Sequence, residues 1–535
     1  MEETFSLTDV EGELLATMEQ PHARLSDETP FQVLLLGDWS GRKNRGLHVS
    51  SDELAGWRPR IVDRDNLNQV MSRLGVKLHI PLTKDGSQSL SINFNQLEDF
   101  HPDRLFNRLE IFEALGRTRT KLNNPKAFQE AAAEVRGWNQ LAATEPFHAE
   151  PTPALVSEEP PPLTPGPDSE GSLLDQILAG RLDASSATSP KTLGHRSPEV
   201  SPEILELAKA AVKSHLVPDT EAEADQLIAA VDARIAETMR AILHHPHFQA
   251  LESAWRGLDF LVTRLETGTE LKLYLLDITF EEFKADLRTN KDFRKTAIYK
   301  LLVEQTVGTS GGLPWAVIAA NYTFDFASGD PALIERISLI AQEAGAPFIA
   351  GASAHLLGCE SLVETPDPDD WREPLGEQIE AWWETLINSS AAAYVGFALP
   401  QFLLRLPYGK ETEPTEEFEF EEMPPDGPRH ESYLWANPAF AVVYLLAKGF
   451  SEAGWGLRPS DVQEIQGLPL HVYQREDESE IKPCAEVLLT LRAAEKIINR
   501  GLMPLLSLKD SDTIRLGMFQ SIAGTQLHGP WAGDS

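Results

Sequence analysis

Residues 241–265 read AILHHPHFQALESAWRGLDFLVTRL. From Phe248 onward the large apolar residues are Phe248, Leu251, Trp255, Leu258, Leu261, Val262 and Leu265. Steps of three and four place them on one face of a helix. Pro246 suits the first turn of that helix, where a missing N–H costs nothing. Glu252 and Arg256, four apart in the favourable order, fall on another face. The spacing therefore predicts an amphipathic core helix, capped by His-His-Pro, with Trp255 in its buried stripe.

Composition bounds what surrounds this helix. The chain has 535 residues, 42% of them hydrophobic, enough for a large core and two to four domains. Its formal charge of −35 repels phosphate backbones and anionic membrane surfaces, so nucleic acid and membrane are poor partners. Two distant cysteines, Cys359 and Cys484, imply no disulfide framework and suit a reducing cytoplasm. The first residues, MEETFSLTDVEGELLATM, are acidic where a signal peptide is basic. No run approaches 18 uninterrupted apolar residues, so no transmembrane helix is expected.

Residues 1–29 read as a polar arm. The run PFQVLLLGDWSG, residues 30–41, is apolar and ends in a turn cluster, as a buried strand does. The segment RPRIVDRDN, residues 58–66, leads into Leu67, Val70, Met71 and Leu74 at helical spacing, with Asp65 or Asn66 as the N-cap. Residues 77–80 and 90–94 alternate like strands across a turn at 84–87. LEDFHPD, residues 97–103, opens a helix reaching about Leu115. The order and spacing of PFxVLLLGDWSG, VDRDN and LEDFHPDRL resemble the small sheath subunit of the bacterial type VI secretion system, the TssB, ImpB or VipA family. That resemblance marks Asp63, Arg64, Asp65, Asn66, Phe100 and Pro102 as structural motif residues.

From residue 142 to about 202 the composition changes. Pro151, Pro153, Pro160, Pro161, Pro162, Pro165 and Pro167 exclude a helix or central strand and predict an extended, solvated linker. One island, GSLLDQILAG at 171–180, would form a short amphipathic helix with Leu173, Leu174, Ile177 and Leu178 on its apolar face. Such a helix needs a partner. After residue 204 strands and helices alternate. Strands are expected at 271–278, 315–320 and 347–351, and helices at 222–243, 296–305 and 333–344. That is the pattern of a largely parallel sheet covered by helices.

The opening helix, as HHPxFQxLExxWRGLxxLV, resembles the large sheath subunit of the same system, the TssC, ImpC or VipB family. So do YKLLVEQTVGTSGGLPWAVIAANYTF, AAYVGFALPQFLLRLPYG and GLMPLLSLKDSDTIRLGMFQSI, and the resemblance runs from Gly171 to about Ile522. It marks Trp255, Arg256, Gly257, Pro407, Tyr408 and Gly409 as structural. It also implies that the 171–180 helix is the handle gripped by an AAA+ unfoldase that recycles contracted sheath.

GTSGG, residues 308–312, satisfies the nucleophile-elbow pattern, but an elbow has a strand before its serine and a helix after it. Here the expected order is reversed, and a glycine-rich turn is the better reading. His244, His245 and His247 lack the spacing and further ligands of a zinc site and are read as capping and packing residues. His101 is read the same way. The loop ETEPTEEFEFEE, residues 411–422, is expected to be solvated. Arg405, a charge inside an apolar run, calls for a buried carboxylate or a neighbouring subunit.

The expected fold class is α/β, contractile tail-sheath-like, with mixed sheets flanked by helices in two parts joined by the Pro-rich linker. The expected segments are an arm at 1–29, a small-subunit domain at 30–141, the linker at 142–202, a large-subunit domain at 203–522 and a tail at 523–535. The resemblance implies a fused structural subunit, not an enzyme, with no cofactor and no metal. It would assemble with itself or other sheath subunits around an inner tube on a baseplate and contract. The family's large subunit continues beyond the segment matching residues 518–522, so a sheath-derived adaptor or cap that binds sheath without polymerising is the alternative. A serine hydrolase at Ser310 is the remote one.

Overall fold

The computed structural model describes residues 28–81, 89–124, 127–129, 131–132, 222–325, 331–372, 376–424, 427–475 and 478–531. The 171–180 island, with Leu173, Leu174, Ile177 and Leu178, lies outside them. Residues 1–113 and 228–535 form one compact unit and residues 114–227 a second. The second is described only at 114–124, 127–129, 131–132 and 222–227, which include most of the Glu110–Asn123 helix and the start of the Ala222–Leu243 helix.

The strands are β1 (Phe31–Gly37), β2 (Arg60–Val62), β3 (Val76–Pro81), β4 (Ser89–Phe94), β5 (Leu271–Asp277), β6 (Val317–Phe324), β7 (Phe348–Ala352), β8 (Val395–Leu399), β9 (Phe402–Leu403), β10 (Trp435–Ala436), β11 (Glu464–Ile465), β12 (His471–Arg475), β13 (Glu478–Lys482), β14 (Met503–Ser507) and β15 (Ile514–Leu516). Nine of them form one sheet in the order β11-β15-β14-β8-β7-β6-β1-β5-β2. The six from β14 to β5 are parallel, and the strands at the two edges run antiparallel. The sub-order β5-β1-β6-β7-β8 is that of a doubly wound α/β sheet.

The sequence divides at the Pro-rich segment, but the sheet does not. β1 pairs with β5 from Phe31–Leu271 to Gly37–Asp277 and with β6 from Val33–Val317 to Leu36–Ala320. All seven residues of β1 are buried, which explains an apolar run rather than an alternating strand. Leu34 and Leu36 face a core shared with Ile318, Phe348, Phe397 and the Phe280–Thr289 and Pro331–Ala344 helices. Phe31, on the other face, packs its ring at a tilt against Phe450 of the Pro438–Ala453 helix, 4.7 Å between centroids.

Local structure departs from the sequence expectation at three places. The helix expected over 97–115 is a 3-10 turn, Leu97–Phe100, followed by the Pro102–Arg108 and Glu110–Asn123 helices. Proline forces the preceding His101 into an extended conformation and breaks the run. The stretch expected as one helix over 296–305 is a short α-turn, Ala297–Tyr299, continuing as π-helical Lys300–Glu304. The third concerns the Leu67–Leu74 helix. Asn66 sits at its cap position but makes no side-chain cap bond. Asp63 organises the entry instead, its carboxylate accepting from the backbone N–H groups of Asp65 at 3.0 Å and Asn66 at 2.9 Å.

Candidate functional site

The functional geometry lies along the seam between residues 28–113 and the sheet and helices of residues 228–531. It starts where β1 ends. The turn after Gly37 brings Trp39 and Ser40 over the end of β5, and their backbone N–H groups donate to Asp277 Oδ1 at 2.8 and 3.1 Å. Arg42 then reaches Asp277 Oδ2 through Nη1 at 2.8 Å and Glu282 Oε2 through Nη2 at 2.7 Å. Burial pushes the Asp277 carboxyl upward, against the pull of Arg42. Doubly wound sheets bind ligands outside the carboxyl ends of their strands at the switch in strand order. In this chain Trp39 lies at that position, against Asn321 of β6, and Arg42 closes the neighbouring end of β5. The hollow left between Leu35, Trp39, Asn321 and Phe440 is too small for a water.

The Pro246–Arg264 helix lies on this seam. His245 caps it, Nδ1 accepting from the His247 N–H at 3.3 Å, and burial with the neighbouring His247 holds the His245 ring down at about 4. Phe248 packs edge-on against Phe94 and Phe100, which stack at 4.2 Å. Trp255 donates its indole N–H to the Trp39 carbonyl at 2.9 Å. Gly257 is required by close approach, because a Cβ there would stand 2.5 Å from the Phe440 ring. The motif residues Trp255, Arg256 and Gly257 thus face three different neighbours.

Arg256 belongs to a buried charge network. Its Nε donates to Glu252 Oε1 at 2.7 Å and its Nη2 to the Tyr408 hydroxyl at 3.0 Å. Arg405 reaches the same Glu252 at 2.9 Å and holds Glu422 in a two-pronged pair at 2.7 and 2.9 Å. The Tyr408 N–H donates to Glu422 Oε2 at 2.8 Å, and Arg405 lies over the Tyr408 ring at 4.3 Å. Burial alone would raise the Glu422 carboxyl, but the Arg405 guanidinium and its hydrogen bonds hold it at about 2. Burial pushes the Tyr408 phenol up to about 12. Two expectations are corrected here. Glu252, placed on another face than the apolar stripe, is itself fully buried, and the 411–422 loop is not solvated throughout, since Phe420 and Glu422 are buried. The physical reason is Arg405, whose buried guanidinium draws both carboxylates inward.

A clasp closes the seam on the outside. His101 caps the Pro102–Arg108 helix, Nδ1 accepting from the Asp103 N–H at 3.2 Å. Asp103 in turn accepts from the backbone N–H groups of Glu416 at 3.0 Å and Glu417 at 3.1 Å. Asn107 donates to Glu417 at 2.9 Å, and Phe106 stacks on Phe418 at 4.6 Å. A cleft of about 440 Å³ remains between helix and loop, with Arg256 and Tyr408 in its floor and Glu98, Glu413 and Glu416 among its walls.

The other marked residues are placed as follows. Asp63 and Asn66 bond each other at the helix entry, and Arg64 and Asp65 are exposed beside them. Pro407 and Gly409 flank buried Tyr408, and Glu421 crowds the position a Gly409 Cβ would take. Ser310 is exposed on a turn with a π-helix before it and a strand after it, the reverse of a nucleophile elbow. His244 Nε2 lies 3.4 Å from Glu422, not in a ligand set, and no metal-binding group of three or more such residues occurs among the described residues. Sequence reasoning missed Arg42, Asp277, Glu282 and Asp103. Arg405 was the one visible signal, a charge in an apolar run that demanded a counter-ion.

Residues 225–523, more than half of the chain, match the family model described as EvpB/VC_A0108, tail sheath N-terminal domain. Residues 17–137 match the model described as type VI secretion system, VipA, VC_A0107 or Hcp2. Over 294 residues the chain is 36% identical to the type VI secretion system sheath protein TssC1 of Pseudomonas aeruginosa, covering 54% of this chain and 59% of that protein. The chain therefore spans well under two thirds of this curated relative. No helix of the described residues is long and apolar enough to cross a membrane.

Proposed function

Because the chain belongs to the tail-sheath family of type VI secretion, with small-subunit and large-subunit segments in one polypeptide, we propose that it acts as a fused sheath subunit. In this reading the chain is a structural component that stacks with other copies or other sheath subunits around an inner tube, on a baseplate, and contracts in the cytoplasm. The observation that carries the reading is β1. A strand from the small-subunit segment completes the sheet of the tail-sheath domain, flanked by β5 and β6. Fusion then sets one-to-one stoichiometry and raises the effective concentration of each half for the other.

The seam suits mechanical work rather than catalysis. The position where a doubly wound sheet would hold a ligand is occupied by Trp39, and Arg42 and Arg405 meet their carboxylates within the chain. Work would come from an extended assembly relaxing to a better-packed one. An AAA+ unfoldase gripping residues 171–180 belongs to the same reading.

Electron microscopy of the purified full chain, alone and with a tube protein, tests it. Hollow tubules in extended and contracted diameters are expected. A protein that stays a monomer or a small closed ring under both conditions overturns the reading in favour of a sheath-derived adaptor.

A further inference from the structure

We propose that the cleft between the Pro102–Arg108 helix and the 411–417 loop binds a cationic amino acid, free or as the last residue of a peptide. The ligand's carboxylate would sit on Tyr408 and Arg256, and its basic side chain against Glu98, Glu413 and Glu416. Binding of this kind concerns a single chain and stands apart from sheath assembly. The Tyr408 side chain is 1% exposed, and its oxygen accepts from Arg256 Nη2 at 3.0 Å. The hydroxyl proton itself meets no acceptor among the described residues, although a buried tyrosine hydroxyl ordinarily finds one. Arg256 also keeps a donor in reserve. Its Nε serves Glu252, a carboxylate it shares with Arg405, and its Nη2 serves Tyr408. Nη1 has no acceptor among the described residues, and the side chain is 21% exposed. Both residues form the floor of the cleft of about 440 Å³. Two neighbouring donors without acceptors, one of them a guanidinium, suit a carboxylate.

The walls suit the opposite charge. Glu98, Glu413 and Glu416 line the cleft and are exposed. None of the three carboxylates has an ion-pair partner among the described residues, and Arg104, which also lines the cleft, pairs with none of them. A simple anion is repelled by the walls, and a simple cation leaves the floor donors unmet. A ligand that carries both charges answers both surfaces. The volume lies toward the lower end of small-ligand pockets, so it admits an amino acid or the end of a peptide rather than a folded element.

Saturation-transfer NMR on the purified full-length chain tests the site with L-arginine, with agmatine, which lacks the carboxylate, and with acetate, which lacks the cation. L-arginine should bind saturably, and agmatine and acetate about tenfold more weakly or worse. Tyr408→Phe should weaken L-arginine by about tenfold and leave agmatine unchanged. Glu98→Gln combined with Glu413→Gln alters exposed positions and spares the buried network; it should weaken L-arginine and agmatine alike, by roughly threefold or more. A tripeptide Gly-Gly-Arg that binds as tightly as free arginine assigns the cleft to a chain terminus, and one that binds about tenfold more weakly assigns it to the free amino acid. Equal binding of L-arginine and agmatine overturns the carboxylate floor and the proposal with it. No saturable binding of L-arginine, or binding that the glutamine pair leaves unchanged, overturns it as well. If Tyr408→Phe fails to fold, the agmatine comparison and the glutamine pair decide.

Discussion

Trp255 donates its indole N–H to the backbone carbonyl of Trp39 at 2.9 Å, and the two rings meet edge to face at 5.6 Å. These residues lie 216 positions apart and come from the two segments that match different family models. Both side chains are fully buried. The contact ties the turn after β1 to the helix that opens the tail-sheath segment.

Replacing Trp255 with Phe keeps an aromatic ring but leaves the buried Trp39 carbonyl without its donor. The expected loss is about 1–3 kcal/mol. Trp255→Ala should cost about 3–5 kcal/mol by adding a cavity. Denaturant unfolding followed by tryptophan fluorescence measures both. Equal losses would show that the hydrogen bond, not the packing of the ring, sets the value.

Arg405→Met leaves Glu422 and part of Glu252 as uncompensated buried charge, and should destabilise the fold by about 3–5 kcal/mol. Adding Glu422→Leu should recover much of that loss, because Glu252 keeps Arg256 at 2.7 Å. A double-mutant cycle in denaturant reads the coupling, and additive losses would refute the network.

Acid should weaken the fold through His245, whose folded value of about 4 lies below the ordinary 6.5. A depressed histidine contributes stability that is complete above pH 6.5 and lost as pH falls toward 4, because the unfolded chain takes up the proton first. Solvent exposure reduces the effect to on the order of 1–2 kcal/mol. His245→Asn, which keeps an N-cap acceptor, should flatten the stability profile between pH 6.5 and 4. Glu422, held at about 2, enters only at the acid end of that window, since its stabilisation is complete well above pH 4.5 and is lost as pH falls from there toward 2. Thermal unfolding across pH 4–7 measures the slope.

Gly257→Ala places a methyl group against the Phe440 ring and should cost about 1–3 kcal/mol through overpacking. Phe440→Leu in the same chain should return part of it. If the alanine variant unfolds at the wild-type midpoint, the two helices are less closely apposed than the structure has them.

Asp103→Ala removes the acceptor for two loop N–H groups. Amide hydrogen exchange at Glu416 and Glu417 should quicken by about tenfold, while amides of β1 are unchanged. Unchanged exchange at the loop would show that Phe106 and Asn107 suffice to hold it.

The sequence by itself determined the local elements wherever one residue pattern has one low-energy solution. The stripe from Phe248 to Leu265 could bury itself only as a helix. Pro246 announced a helix start, because proline lacks an N–H that a first turn can spare, whereas the helix start at Pro102 lay inside a run read as one helix. Strand–helix alternation after residue 204 announced a parallel sheet. Tertiary structure alone decided that β1 completes a sheet whose next strand begins at Leu271, that Arg42 answers Asp277, and that Glu252 and Glu422 go inside to meet Arg405. Periodicity reports which face of an element is buried but not what covers it. A carboxylate goes inside only when a cation waits there, and that cation stands 153 residues from Glu252 and 17 from Glu422.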